Sequence, residues 1–393
     1  MTDIFELFSG IGVVIDDEID EKGKTPNGIQ KIVKSIKDKY IPLLEYKNLP
    51  GENEISKLHS ISFLILDWNL SEIRPTPEIT ITENINFIKK LHDICFIPIF
   101  IFSDEDPHTI EVKLSEKEIT LNNTPLFIKK KEDLDTVEKL FNAIQEWLKK
   151  TPPVYVLKEW EKAIREAKTK MLWQLSTINP AWPRILMNTV KKDGGDQTIE
   201  LIEMLQNNLT YRLSYPVLDI NLIKQQNNNN IDKNDLRKIL ECERFIQKES
   251  LPKHPFAGDV YPDIIANDDK IYYINIRPDC DIIRDAEREN KEMYLLRGEI
   301  IDETKINNNN NETDYITFDS GEFIEKNNCC YIAFIKGNIL QLYLKDLKIF
   351  NWNDIKDKRI GRLLPPYITR VQQKYAHYIQ RQGLPRIPKE AIL

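Results

Sequence analysis

The chain has 393 residues, which sets an expectation of two or three domains. Hydrophobic residues make up 41% and charged residues 30%, enough for a sizeable core under a soluble surface, and the net charge of −7 gives no global reason to bind nucleic acid. No apolar run approaches the ~18 residues of a membrane span. The five cysteines carry no CxxC pair and the five histidines are dispersed, which argues against a disulfide framework or a zinc centre.

The opening Met1 to Ser9 carries Asp3 and Glu6 in place of a basic and apolar leader, so the expected compartment is the cytoplasm. Residues 11–15 form a short apolar run that reads as a buried strand and ends in Asp16-Asp17-Glu18. Gly28 to Leu44 has helical spacing. Ile61 to Leu66 is a second buried run, ending at Asp67. Thr82 to Cys95 reads as a helix with Thr82 as its N-cap. Phe96 to Phe102 is a third apolar run and ends at Ser103. The stretch Asp104 to Thr124 does not read as a clear helix. Pro125 to Ile128 is a fourth apolar run, followed by Lys129-Lys130-Lys131, and Leu134 to Leu148 is amphipathic. Strands alternating with helices imply a parallel sheet, whose sites form at the carboxyl ends of the strands. Each strand here is followed at once by a residue suited to phosphate or metal chemistry.

After Thr151-Pro152-Pro153 the texture changes. Lys158 to Thr177, Gln197 to Tyr211 and Asp232 to Lys248 have helical patterning, with Asp232 as an N-cap. The tracts Asn227 to Asn230 and Asn307 to Asn311 read as loops. From Leu251 the chain is β-rich: Asp259 to Ile265, Ile271 to Ile276, Met293 to Ile301, Cys329 to Ile335 and Ile339 to Leu344. Asp279-Cys280-Asp281 sits at a strand end, and Trp160, Trp173 and Trp182 read as core. A last helix spans 366–382 and Gly383-Leu384-Pro385 ends it. From Asn351 onward basic residues outnumber acidic ones, with Arg359, Arg362, Arg370 and Lys374 interleaved with Tyr367, Tyr375 and Tyr378. The domain reading is 1–150, an α/β domain; 151–250, a helical linker or interaction region; and 251–393, a β-rich domain with a C-terminal helix.

The first segment resembles the receiver domains of two-component response regulators. The resemblance rests on Val-Val-Ile-Asp-Asp-Glu, Phe-Leu-Ile-Leu-Asp-Trp-Asn, Ile-Phe-Ile-Phe-Ser and Leu-Phe-Ile-Lys-Lys, in that order. It implies a flavodoxin-like (βα)5 fold with Asp67 as phosphoacceptor, and an Mg²⁺ held by Asp16, Asp17, Asp67 and the backbone carbonyl of Asn69. It also implies that Ser103 and a lysine bind the phosphoryl group. The lysine is Lys130 by phase from Phe127, with Lys129 as the alternative. The intervals from Asp17 to Asp67 to Ser103 to Lys130 each run a few residues longer than is usual in the family, and no proline follows the lysine.

The implied partner is a sensor histidine kinase, with a second response regulator and a homodimer as further expectations. The implied enzymatic activity is at most self-phosphorylation from a phosphodonor and autodephosphorylation. The C-terminal part, read as barrel-like, resembles PemK-like toxins at Gly258-Asp259-Val260. A receiver without a standard output module resembles the accessory receiver components of antiphage two-component systems of the Detocs type, which implies a phosphate sink in defence. The alternatives are a receiver-gated transcription regulator that binds DNA through the basic C-terminal region, and a receiver-gated toxin-like effector.

Overall fold

The computed structural model describes residues 4–20, 28–71, 73–119, 125–192, 195–224, 232–285, 291–301, 329–335 and 337–380. They form two compact units, one within Met1–Thr177 and Asn208–Asn227, the other within Ile178–Asn207 and Asn228–Leu393.

The first unit opens with α1 (Ile4–Leu7), β1 (Ile11–Ile15), α2 (Gly28–Lys37), β2 (Leu43–Tyr46) and α3 (Glu52–Ile55). It continues with β3 (Ile61–Leu66), α4 (Glu78–Ile94), β4 (Ile99–Ser103), α5 (Pro107–Glu116), β5 (Leu126–Lys130), α6 (Val137–Lys150) and α7 (Pro152–Ile178). The five strands form one sheet in the order β2-β1-β3-β4-β5, and every pairing is parallel. This is a flavodoxin-like α/β arrangement.

Both faces of the sheet are covered, which is why its central strands read as unbroken apolar runs. Phe63, Ile65, Phe100 and Phe102 pack with Ile29, Ile32, Leu140 and Ile144 on one face. Leu64, Leu66, Ile99 and Ile101 pack with Ile85, Ile88, Ile110 and Leu114 on the other. The start of α7 belongs to the first face: Val154 and Tyr155 are buried there, and the Tyr155 hydroxyl accepts from the Asp219 amide at 2.7 Å.

Several local expectations change. The helix expected over Gly28 to Leu44 stops at Lys37, and its apolar tail becomes β2, because Leu43 and Leu44 find ladder partners on β1. Helix α4 begins at Glu78 with Pro77 as its N-cap residue, and Thr82 lies within the helix and donates to the Glu78 carbonyl. Helix α5 exists where none was expected; Pro107 takes its first turn and Ile110 and Leu114 are its buried stripe.

The second unit contains α8 (Trp182–Lys192), α9 (Gln197–Thr210), which the unit division crosses, and α11 (Lys233–Arg244), while α10 (Ile220–Ile223) belongs to the first unit. Asp232 caps α11, its carboxylate accepting from Asn234 N at 3.3 Å. Then come β6 (Phe245–Gln247), β7 (Asp259–Pro262), β8 (Ile271–Asn275), α12 (Asp279–Arg284), β9 (Glu292–Ile301), β10 (Cys329–Ile335), β11 (Asn338–Asn351), α13 (Trp352–Ile355), β12 (Gly361–Leu363) and α14 (Tyr367–Ile379).

The sheet has seven strands in the order β10-β11-β9-β8-β7-β12-β6, with antiparallel pairings. It is open, so the barrel expectation is corrected. Closure requires the edge strands to pair with a consistent stagger, whereas β10 and the three-residue β6 lie at opposite edges. Asp279-Cys280-Asp281 is the first turn of α12, not a strand end. Trp160 and Trp173 are exposed at 52% and 70%, not core. The tracts Asn227 to Asn230 and Asn307 to Asn311, and Gly383-Leu384-Pro385, lie outside the described residues.

Candidate functional site at the carboxyl end of the parallel sheet

Strand ends bring the acidic residues together. Asp16 and Asp17 directly follow β1, and Asp67 directly follows β3, which is the neighbour of β1. Carboxylate oxygens of the three lie within 4.8 Å of one another. Asp16 is fully buried and Asp67 is 5% exposed. Charged carboxylates are seldom buried without compensation, and the compensation here is a lysine.

That lysine is Lys131. Its Nζ lies 2.7 Å from Asp16 Oδ2, 2.8 Å from Asp67 Oδ2 and 4.0 Å from Glu18. The expected residues stand elsewhere: Lys129 faces Asp133 at 3.9 Å and Lys130 faces Glu132 at 3.6 Å, both part-exposed. Strand alternation does not reach the residue that matters. Phe127 packs on one face and Ile128 on the other, a pattern that holds only while β5 is paired. Lys131 is the first residue past the ladder, so its side chain is free to turn over the sheet edge. Gly28, at the start of α2, makes room for it: a Cβ there would stand 3.2 Å from Lys131 Cβ. Sequence reasoning passed over both residues, although a glycine opening an amphipathic helix was a usable signal.

The turn after Asp67 is tightly specified. Asn69 N donates to Asp67 Oδ1 at 3.2 Å, and Asn69 Nδ2 donates to the Ile73 carbonyl at 3.0 Å. Asn69 Oδ1 accepts from both the amide and the hydroxyl of Ser71. From α4, the buried Asn84 donates to the Trp68 carbonyl at 2.7 Å. Asn84 was also missed, and its signal is a lone amide on the apolar stripe of Ile81, Ile85 and Ile88. Ser103 is the last residue of β4 and is buried; its Oγ accepts from the Glu105 amide at 3.4 Å. In the β3–β4 register Leu66 pairs Ile101, so Ser103 lies one step beyond the level of Asp67.

The electrostatics follow from this crowding. Burial pushes Asp67 up to about 7; Lys131 opposes the rise and Asp16 adds to it. Burial likewise raises Asp16 against the pull of Lys131. Lys131 loses some basicity to burial, but its two aspartates outweigh that and hold it above the ordinary lysine value. Three carboxylates gathered at one strand edge, two of them buried around a cation, form a donor set that could hold a metal ion. Their all-oxygen chemistry suits a hard ion.

No family model matches the chain, and no curated protein matches it. Among solved structures, a fusion carrying a yeast Spc42 trimeric coiled coil is 13% identical, with 42% of this chain and 96% of that one covered at a TM-score of 0.25. A likeness of that size supports no conclusion about fold. Among the described residues, no helix is long and apolar enough to cross a membrane.

Proposed function

We propose that the first unit is a phosphoacceptor receiver, with Asp67 as the residue that accepts a phosphoryl group from a sensor histidine kinase. One observation carries this reading: Asp67 directly follows β3 within the Asp16–Asp17 cluster, under the ammonium of Lys131 and beside the strand that ends in Ser103. A receiver needs these side-chain types at these strand ends.

The chemistry is phosphoryl transfer to a carboxylate nucleophile. An Asp67 oxygen forms the new bond to phosphorus, while the bond from phosphorus to the donor nitrogen or oxygen breaks and its electron pair stays with the donor. Asp67 must be ionised for this, and positive charge at the site favours that form. Asp16, Asp17, Asp67 and the carbonyl of Asn69 would hold Mg²⁺, which supplies charge neutralisation to the incoming phosphoryl oxygens. Lys131 places a compact positive charge beside Asp67, and Ser103 offers its hydroxyl to a phosphoryl oxygen.

The second unit is then the part whose behaviour the receiver governs. Direct DNA contact through its basic residues is the weaker reading. Arg359 and Arg362 both point inward to the buried Asp259, at 3.2 and 2.6 Å, and Lys374 is buried.

The test is incubation with Mg²⁺ and acetyl phosphate, read by intact mass beside Asp67→Asn. A phosphoryl adduct on the wild type alone supports the proposal. An unmodified wild type, with acetyl phosphate and with histidine kinases supplied, overturns it.

A further inference from the structure

The segment after β3 carries a second cation that the site as described leaves unused. Arg74 Nη2 lies 2.7 Å from Asp104 Oδ2. The link joins the segment following Asp67 to the segment following Ser103. Next to it, Thr76 donates to Glu105 through both its amide and its hydroxyl. Arg74 is 63% exposed along its side chain, so it can leave Asp104 without disturbing the core. Its environment is anionic beyond Asp104: Glu18 and Asp67 also act on its charge.

The charges near Asp67 say what such a residue is for. Asp16, Glu18 and Asp67 face the ammonium of Lys131, and Asp17 adds a fourth carboxylate to the cluster of Asp16 and Asp67. A phosphoryl group on Asp67 adds negative charge to a cluster already rich in it. A divalent cation offsets only part of the total, so a further positive group gains from approaching. Guanidinium suits that place, because its planar fork binds two phosphoryl oxygens at once. An exposed pair with a single carboxylate contributes little, and a phosphoryl group therefore competes well for the arginine.

We propose that Arg74 is a second phosphoryl-binding cation, held by Asp104 until a phosphoryl group on Asp67 draws it away, and that its departure removes one of the links between the segments after β3 and β4, leaving the Thr76–Glu105 bonds as the other. This rests on the receiver reading. It adds a residue to that site and a route by which the modified state reaches α5, whose first turn begins at Pro107.

The experiment uses the full chain with Mg²⁺ and acetyl phosphate, and compares wild type, Arg74→Gln, Arg74→Lys and Asp104→Asn. Adduct formation is followed by intact mass. Amide hydrogen exchange of peptides covering 99–116 is followed with and without beryllium fluoride, a phosphoryl mimic. Arg74→Gln should form adduct about tenfold more slowly, equivalent to ~1.4 kcal/mol. Arg74→Lys should recover part of the rate. Asp104→Asn, which releases the arginine, should react at least as fast as wild type. Its peptides 99–116 should exchange as wild type does with beryllium fluoride bound.

A purely structural pair predicts the same loss from Arg74→Gln and Asp104→Asn, and that outcome overturns the proposal. So does an Arg74→Gln rate equal to wild type. If wild type itself forms no adduct, the receiver reading falls and this proposal with it, a failure distinct from the other two.

Discussion

Replacing Lys131 by Met removes the one ammonium that touches both Asp16 and Asp67 while keeping most of the side-chain volume. Asp16 and Asp67 are 0% and 5% exposed, so water cannot take over the role. Breaking a buried ion pair from one side costs ~3–5 kcal/mol, because the remaining charge is left uncompensated. Here two carboxylates are left facing each other. Part of the cost is avoided at neutral pH, since Asp67 already titrates at about 7 with the lysine in place and will take up a proton once it is gone. The penalty therefore grows as pH rises above 7, and it shrinks toward pH 5. Lys129→Met and Lys130→Met are the controls. Both break part-exposed pairs at 3.9 and 3.6 Å, worth ~0–1 kcal/mol each. A chain of two units does not give one unfolding midpoint, so the assay must be local. Amide exchange of the β1 and β3 peptides in EDTA reads the site directly. Where those amides exchange by unit-wide opening, Lys131→Met should speed them ~10²- to ~10³-fold at pH 8. The reasoning is refuted if Lys131→Met exchanges within about threefold of wild type at pH 8, or if Lys130→Met is equally damaging.

Asp67→Asn should stabilise the metal-free first unit at pH 8. The Asp67 carboxyl has a folded value of about 7 against an ordinary 3.8, so the folded state holds the proton more tightly. Its favourable contribution is complete below pH 3.8 and is lost as pH rises through 7. The advantage of the variant, measured by β3 exchange in EDTA, should shrink as pH falls from 8 toward 4; a gap that ignores pH would sink this account. Mg²⁺ should protect the wild-type first unit by ~2.7 kcal/mol at a hundred times its dissociation constant. That protection should be absent in Asp67→Asn, and equal protection of both proteins would place the ion elsewhere. In the second unit, Gly258 has φ +88 and a Cβ there would lie 2.1 Å from the Leu363 carbonyl. Gly258→Ala should cost more than the ~1–3 kcal/mol of backbone strain alone; unchanged exchange in β7 and β12 would contradict this.

The central strands of the parallel sheet were legible along the chain because they are buried on both faces, whereas the part-exposed β2 was read as helix. Ile61 to Leu66 and Ile99 to Phe102 carry no solvent-facing position, and their apolar runs end at Asp67 and Ser103, polar residues at the carboxyl edge that are themselves buried. Asp16, Asp17 and Asp67 were legible for the same reason, since polar residues at the ends of buried strands must face the carboxyl edge of the sheet. The antiparallel strands from Asp259 to Asn351 were also readable, but the shape of their sheet was not. Strands β6 and β12 have three residues each, too few to show a period, and whether a sheet closes depends on how its edges meet.

The choice among Lys129, Lys130 and Lys131 belonged to tertiary structure alone. Alternation assigns faces only within a paired strand, and the residue that matters lies one step past it. What decides is the space beside Gly28 and the pull of two buried carboxylates that lie 115 and 64 residues away in sequence. The fate of Arg359 and Arg362 was decided the same way. As sequence they form part of a basic tail, and in the fold they neutralise Asp259, a charge no local pattern could have set against them.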